Sequence, residues 1–320
     1  NASAAEIPMY GLFGVFRRYL VIGIPLMLAL SKDELRAVIG HELGHLSKSH
    51  SKMSVKALRA ENVWRKTYEE LIKSGKDKNL FFKSFLIRYI PALNNALLSL
   101  RRENEYVADK AAEIVTDSAT VAKTLVKIPL FDSYMDGVFW NRINVLARVE
   151  ENPPKNLFQV MEKFLDEPLP EELSKQILDQ ILKVQSLPCW THPSTSERLE
   201  NIGANYELPE QRKVSALRDI LGDKADNVLN KANDIWASDV NETWSKIYNS
   251  CEESRQRLKQ LEEKKNQDRV LTDEEEIDRA LLLEDMESVE FGLEAFKKLY
   301  DLKPDDLSIA YHLGRLMIKS

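Results

Sequence analysis

The sequence predicts a mainly α-helical protein with a small β-sheet, in the α+β class. Most of the chain repeats apolar residues at spacings of three and four, which is the period of a helix. Residues 19–24, Tyr-Leu-Val-Ile-Gly-Ile, form an apolar, β-branched run that is typical of a strand. Because few strand signals follow residue 30, we expect the sheet to be small and to lie near the start of the chain.

Length and charge limit the organisation and the partners. At about 100–200 residues per domain, a chain of 320 residues predicts two domains. The pattern of apolar residues along the chain changes after residue 205. We therefore place the domains at 1–205 and 206–320. The net charge of -6 argues against nucleic acid as a partner, since binding phosphates needs a basic face. The two cysteines lie far apart, which excludes a disulfide framework or a Cys-rich zinc knuckle.

Helices are predicted along the whole first domain. Ser31 and Glu34 have the spacing of a capping box, so a helix should begin there and continue to Leu46. Further helices are expected over 53–73, over 81–115 with a kink or break near Pro91, and over 118–126.

The second half of the chain also shows helix signals. Capping boxes recur at Ser194–Glu197 and Thr272–Glu275. Apolar residues between 236 and 261 predict a long helix with a coiled-coil-like seam. The segment from 295 to 314 resembles the beginning of a tetratricopeptide repeat, and an ordinary helical hairpin is the alternative.

The strongest chemical signal is His41-Glu42-Leu43-Gly44-His45, inside the helix predicted from Ser31. On a helix, His41 and His45 are about 40° apart, so both imidazoles can bind one ion. Glu42 is about 100° from His41, where it can take a proton from a water that zinc acidifies. This pattern predicts one Zn²⁺ per chain and a hydrolytic reaction.

A catalytic zinc needs a third protein ligand. His50 follows His41 by nine residues and should face the other side of the helix. A carboxylate is therefore expected, and Glu61 and Glu105 compete for the role.

The segment around Glu105 has features that suit a ligand. Asp109 shares its helix face and can orient a ligating histidine through the other ring nitrogen. Ala108 and Ala111 would let this helix approach the first one closely. Spacing alone does not decide whether Glu105 or Glu61 is the third zinc ligand.

Three motifs together resemble the gluzincin metallopeptidases that include the CAAX prenyl endopeptidase and the bacterial HtpX-type proteases. They are residues 41–45, Glu105-Tyr106-Val107-Ala108-Asp109, and the segment 191–198, Thr-His-Pro-Ser-Thr-Ser-Glu-Arg. The resemblance covers about residues 1–203. It implies a zincin-type catalytic domain, packed with a helical C-terminal region, in which Glu105 is the third zinc ligand.

The resemblance also assigns roles outside the ligand set. It implies that His192 lies near the active site and donates a hydrogen bond to the oxyanion, although a structural histidine that anchors its loop is the alternative. Arg198 is expected to make a structural ion pair. Asn1 and Ala2 resemble a family segment that precedes the edge strand, but Ser3 departs from it and we assign them no role.

We therefore predict a zinc endopeptidase that binds polypeptide substrates along the strand at 19–24. A role in membrane-protein quality control is expected from the resemblance. The alternative is a latent or inactive zinc-binding scaffold that recruits protein partners through its C-terminal helices, but an intact Glu42 favours the enzyme.

The same resemblance predicts a location. Leu80–Leu100 is apolar but carries charges, so we interpret it as an amphipathic helix rather than a membrane span. We expect membrane association of the full-length protein, at the bacterial inner membrane, through segments outside this chain. The chain itself is expected to be soluble.

Overall fold

The computed structural model of the chain describes residues 2–8, 16–46, 63–64, 66, 69–70, 80–186, 192–206, 212–267 and 269–320. Helices dominate this part of the chain and two strands form its sheet, which confirms the predicted fold class. The chain divides into two compact units. The first unit comprises Asn1–Phe139 and Asn156–Ala232, and the second comprises Trp140–Lys155 and Asn233–Ser320. The domain boundary expected after residue 205 stays a prediction.

The sheet is an antiparallel pair of strands, β1 (Ala2–Pro8) and β2 (Phe16–Ile22), with Ala2 opposite Ile22. The strand predicted at 19–24 therefore begins earlier and ends at Ile22. A helix begins at Ile24 because Pro25 favours the first helical turn, where its missing N–H costs no hydrogen bond. The sequence did not predict β1, since its alanine-rich stretch lacks the usual strand residues.

The helices are numbered here in chain order. They are α1 (Ile24–Ala29), α2 (Lys32–Leu46), α3 (Leu80–Val115), α4 (Ser118–Tyr134), α5 (Trp140–Val149), α6 (Leu157–Asp166), α7 (Glu171–Lys183), α8 (Thr195–Ile202), α9 (Ala216–Leu221), α10 (Ala225–Asn266), α11 (Asp273–Met286), α12 (Val289–Leu302) and α13 (Leu307–Lys319). A π-helical turn, Met135–Phe139, follows α4, and a 3₁₀ turn, Gly222–Lys224, precedes α10.

Most of the helix predictions fall on described residues. The long helices predicted from residues 81 and 236 are confirmed as α3 and α10. Helix α3 continues through Pro91. Helix α4 extends beyond the predicted 118–126 and passes Pro129, where buried Leu130 and Phe131 favour its continuation. The helix predicted over 53–73 lies mostly outside the described residues.

The N-terminal end of α2 is held by a cap and a buried ion pair. The Ser31 amide donates to Glu34 Oε2 at 2.7 Å, and the Glu34 amide donates to Ser31 Oγ at 3.4 Å, as the capping box predicts. Lys127 on α4 contacts the same carboxylate at 2.8 and 3.1 Å. Both side chains are almost fully buried. Because breaking a buried pair leaves an uncompensated charge, this contact fixes α2 against α4.

Helices α2 and α3 approach each other closely through small residues. A Cβ atom added to Gly44 would lie 2.8 Å from Ala108 Cα and 3.0 Å from Ala111 Cβ. A Cβ added to Gly40 would lie 3.0 Å from Ala112 Cα. The close approach expected from Ala108 and Ala111 is therefore confirmed, and it brings the two helices within reach of one ion.

The second unit has an apolar core formed by α11, α12 and α13. Phe296 lies at its centre, with Ala280, Ile309 and Leu316 packed in the same cluster. The capping box at Thr272 is present at the start of α11. The tetratricopeptide assignment stays a prediction. Among the described residues, no helix has both the length and the apolar character required to cross a bilayer.

Candidate metal centre

The sequence-predicted ligands converge between α2 and α3. His41 Nε2 and His45 Nε2 on α2 are 3.1 Å apart. Glu105 on α3 places Oε2 3.6 Å from His41 Nε2 and Oε1 3.6 Å from His45 Nε2. The ligand atoms of the three residues all lie within 4.8 Å of one another. Glu61, the rival carboxylate, lies outside the described residues.

The donor set fits a zinc ion. Zinc in tetrahedral sites binds nitrogen and oxygen at roughly 2.0–2.2 Å, which places neighbouring donor atoms about 3.3 Å apart. The observed separations of 3.1 and 3.6 Å lie on either side of this value. Two imidazoles and one carboxylate are also the donors of a catalytic zinc site, which keeps one position open.

The ionisation of His45 and Glu105 suits metal binding. Burial and the neighbouring His41 lower the pKa of His45 to about 4, so its ring is neutral near pH 7. Burial alone would raise the pKa of Glu105, but the hydrogen bond from His192 and the charge of Arg198 outweigh it and lower that pKa. Metal binding requires a neutral imidazole, as at His45, and an ionised carboxylate, as at Glu105.

Asp109 and Arg198 contact His41 at Nδ1, the ring nitrogen that faces away from the other two ligand residues. His41 Nδ1 lies 2.9 Å from Asp109 Oδ1 and donates to it. Arg198 Nε donates to Asp109 Oδ2 at 2.9 Å, and Arg198 Nη2 donates to Oδ1. Burial favours a raised Asp109 pKa, but the hydrogen bonds from Arg198 and His41 lower it. The ionised Asp109 therefore holds the His41 ring with Nε2 directed to the ligand group.

The ion pair of Arg198 was expected, but its position beneath His41 was not. Arg198 Nη2 lies 3.2 Å from His41 Nδ1, so the guanidinium is part of the support of the site. Arg198 lies in α8 directly after the capping box of Ser194 and Glu197. In this box the Glu197 amide donates to Ser194 Oγ at 3.3 Å. The sequence carried no signal for this contact, since 157 residues separate Arg198 from His41.

His192 contacts a ligand carboxylate. Its Nδ1 lies 2.8 Å from Glu105 Oε1, and its side chain is 71% exposed. The hydrogen bond to Glu105 raises the pKa of His192 against the opposing effect of burial. His192 therefore lies at the site, as the resemblance implied, and its imidazole forms a charge-assisted hydrogen bond there.

Glu42 contacts strand β1, which the sequence did not place at the site. The Ala4 amide donates to Glu42 Oε2 at 3.0 Å. This amide belongs to the edge of β1 that faces away from β2. The strand beside Glu42 is thus β1, and the expectation that substrate binds along residues 19–24 stays a prediction. Residues 19–22 belong to β2, and α1 begins at Ile24.

A model of peptidase family M48 matches residues 10–205. The chain belongs to peptidase family M48. This confirms the metallopeptidase resemblance read from the motifs. M48 proteins are zinc-dependent peptidases, so this M48 chain is a metallopeptidase, a hydrolase that acts on polypeptides. No curated protein and no solved structure matches the chain.

Proposed function

We propose that this M48 metallopeptidase is an endopeptidase in which His41, His45 and Glu105 hold one zinc ion and Glu42 is the general base. The observation that carries the proposal is the convergence of the three donor groups within 4.8 Å of one another. Asp109 and Arg198 are positioning residues in this proposal, because they orient His41 and do not reach the open position themselves.

Zinc bound there supplies Lewis-acid chemistry, since it lowers the pKa of a water molecule and polarises a carbonyl. Glu42 takes a proton from the attacking water and delivers it to the leaving amine. The Ala4 amide occupies Glu42 Oε2 and leaves Oε1 for this proton transfer. The amide thereby fixes the orientation of the base.

His192 donates a hydrogen bond to the oxyanion of the tetrahedral intermediate in this proposal. Its raised pKa favours the protonated imidazole, which is the better donor. When substrate binds, the exposed ring exchanges its contact with Glu105 for one with the oxyanion. A purely structural role, in which His192 anchors the segment before α8, predicts an unchanged kcat after its removal.

The substrate binds as an extended segment along the outer edge of β1, by strand addition. This edge of β1 lies directly beside Glu42, whereas β2 lies on the other side of β1. Resemblance to the HtpX-type proteases supports two further proposals: a role in membrane-protein quality control and association of the full-length protein with the bacterial inner membrane. Protein partners at the C-terminal helices are proposed from the Trp and Leu pattern of those helices.

The ligand set is tested by zinc stoichiometry and casein hydrolysis in four chains: wild type, Glu105→Ala, Glu61→Ala and Glu103→Ala. Glu103 is the matched control because it is exposed on the same helix as Glu105. We expect one zinc per wild-type chain, loss of zinc and hydrolysis only in Glu105→Ala, and inhibition of the wild type by a chelator. Zinc retained in Glu105→Ala would show that the ligand set is wrong.

The role of Glu42 is tested by Glu42→Gln. A general base contributes roughly 10²–10⁴-fold to the rate, so hydrolysis should fall by that factor while zinc is retained. Zinc binding without hydrolysis in both wild type and variant would instead support the latent or inactive scaffold.

A further inference from the structure

The two halves of α3 present different side chains to solvent. Between residues 97 and 112, in the half that carries Glu105, the exposed residues are Ser99, Glu103 and Lys110. Between residues 84 and 92, the exposed residues among those described are Ser84, Phe85, Ile87, Arg88, Pro91 and Ala92. Phe85 and Ile87 are each 49% exposed. One helix is therefore polar on its solvent side near the metal site and mainly apolar at its other end.

An aromatic residue from a second segment joins the apolar half of α3. Phe85 stacks on Tyr89, with ring centroids 5.1 Å apart and planes inclined by 15°. Trp64 packs edge-on against Tyr89 at 6.4 Å, and the neighbouring Val63 is exposed. These residues and Ile87 form what is called here the α3 aromatic surface. Trp and Tyr are enriched where proteins meet the boundary of lipid and water, because one end of each ring is apolar and the other is polar.

The segment that carries the α3 aromatic surface is basic, although the chain is acidic. Residues 63–92 contain seven Lys or Arg and three Asp or Glu, which is a formal charge of +4, whereas the whole chain carries -6. Six of these 30 residues are aromatic, against 8% of the whole chain. Among the described cations of the segment, Lys66 and Arg88 are exposed. Basic residues beside exposed apolar side chains are the features by which peripheral helices bind anionic lipids.

The position of Arg88 favours a lipid surface over an apolar protein surface. Phe85, Arg88 and Ala92 follow at spacings of three and four, so the cation shares a helix face with the apolar groups. Against an apolar protein partner, the guanidinium would lose its hydration without a counter-charge. At a lipid headgroup it keeps water and gains a phosphate, to which it can donate two hydrogen bonds.

We propose that the α3 aromatic surface binds peripherally to a bilayer that contains anionic lipids, with Lys66 and Arg88 paired with the phosphate groups. This contact lies within the chain itself and adds to any membrane segment outside it. It does not depend on the proposed endopeptidase function. Glu105 follows Phe85 by twenty residues on the same helix, about 30 Å along its axis at 1.5 Å per residue. One helix therefore connects the lipid contact with the metal centre.

Co-sedimentation of the full chain with vesicles tests the proposal. One set of vesicles is phosphatidylcholine alone, and the other is an equal mixture of phosphatidylcholine and phosphatidylglycerol. We expect the chain to bind the mixed vesicles at least about five-fold more tightly, since each cation near an anionic surface contributes roughly that factor. Added salt should weaken this binding, because it screens the charges. No binding to the mixed vesicles would overturn the proposal and leave a protein as the occupant of the surface.

Paired variants on α3 locate the contact. Phe85→Ser should lower affinity for both sets of vesicles about ten-fold, because it removes an apolar ring from the contact. Its control is Ile114→Ser, since Ile114 is 80% exposed on the same helix but lies outside the α3 aromatic surface. Arg88→Gln should lower affinity about five-fold for the mixed vesicles only. Its control is Lys110→Gln, at an exposed position of the same helix.

Far-UV circular dichroism and thermal unfolding check that each of these variants folds. Equal affinities in each variant and its control would overturn the proposal, because the binding would then not depend on the α3 aromatic surface.

Brominated lipids give an independent measure of the same contact, because bromine quenches the fluorescence of tryptophan beside it. Trp64 is the one tryptophan in residues 63–92. Trp64→Phe keeps an aromatic ring, so this variant should still bind the mixed vesicles but lose most of the quenching. Quenching that Trp64→Phe leaves unchanged would place the lipid contact elsewhere and overturn the proposal.

The lipid contact and the endopeptidase function fail separately. Glu42→Gln should bind the mixed vesicles like the wild type, since Glu42 lies outside residues 63–92. Vesicle binding without casein hydrolysis in the wild type would overturn the endopeptidase and support the lipid contact. Casein hydrolysis without vesicle binding would support the endopeptidase and overturn the lipid contact.

Discussion

The two units of the chain use buried side chains differently. In the first unit, buried charged residues are paired across helices: Glu34 with Lys127 and Asp109 with Arg198. In the second unit, the helical core is a cluster of apolar side chains around Phe296. Its ion pairs range from exposed, as between Lys298 and Glu294, whose side chains are 73% and 65% exposed, to half-buried, as between Arg315 and Glu284.

We therefore expect the buried charges of the first unit to serve function and the apolar core of the second unit to serve stability. Burying a charge costs free energy even when it is paired, so the first unit is less stable than an apolar core of that size would be. In the proposed function, the Asp109–Arg198 pair is kept because it orients His41. In the second unit apolar burial stabilises the fold directly, at roughly 25 cal/mol per Å². Substitutions in the two units should therefore change different measured quantities.

Phe296→Ala should give the largest effect on stability. Removing a fully buried Phe costs about 3–5 kcal/mol of unfolding free energy, since it leaves a cavity. Urea unfolding followed by circular dichroism measures this, and zinc affinity should be unchanged. The control is Phe291→Ala on the same helix, where the ring is 55% exposed. Zinc affinity that falls with Phe296→Ala would contradict the division of roles.

The metal-free first unit should lose stability in acid. The folded pKa of His45 is about 4, below its ordinary value of 6.5, so the unfolded chain binds this proton more tightly. This contribution, at most about 3 kcal/mol, is present above pH 6.5 and is lost as pH falls towards 4. The raised pKa of His192 acts in the opposite sense, because its contribution is present below pH 6.5 and is lost as pH rises through the folded pKa.

Urea unfolding of the chelator-treated chain between pH 7.5 and 4 measures this dependence. His45→Gln should flatten the slope between pH 6.5 and 4. An unchanged slope in that variant would assign the acid sensitivity to other groups.

Asp109→Asn should weaken zinc binding by about 10–100-fold, the usual effect of removing the partner of a ligating histidine. Competition with a fluorescent chelator measures the affinity. Glu103→Gln on the exposed face of α3 is the control and should bind zinc like the wild type. Equal affinities for Asp109→Asn and wild type would show that Asp109 does not position His41.

The capping boxes at Ser194 and Thr272 allow the smallest and closest comparison. Ser194→Ala and Thr272→Ala each remove one helix cap and should each cost about 1 kcal/mol of stability. Only Ser194→Ala should also lower zinc affinity, by a few-fold, because α8 carries Arg198 to Asp109. If both variants bind zinc equally well, the start of α8 does not determine the position of Arg198.

Several features of the fold and site were predictable from neighbouring residues. The capping box at Ser31, the helical setting of His41 and His45 and the small residues at Ala108 and Ala111 all met their predictions. The strand boundary at Ile22 and the identity of β1 were not predictable, because the strand signal weakens in an alanine-rich segment. Spacing also could not choose between Glu61 and Glu105.

The sequence by itself determined the helix that carries His41, Glu42 and His45, because a helix face depends on contacts within four residues. Tertiary structure decided which groups meet that face. Ala4 reaches Glu42 across 38 residues, Asp109 reaches His41 across 68, and Arg198 reaches Asp109 across 89. Contacts over such separations leave no local pattern, since they arise only when tertiary packing, such as that of Gly44 against Ala108, has brought distant elements together.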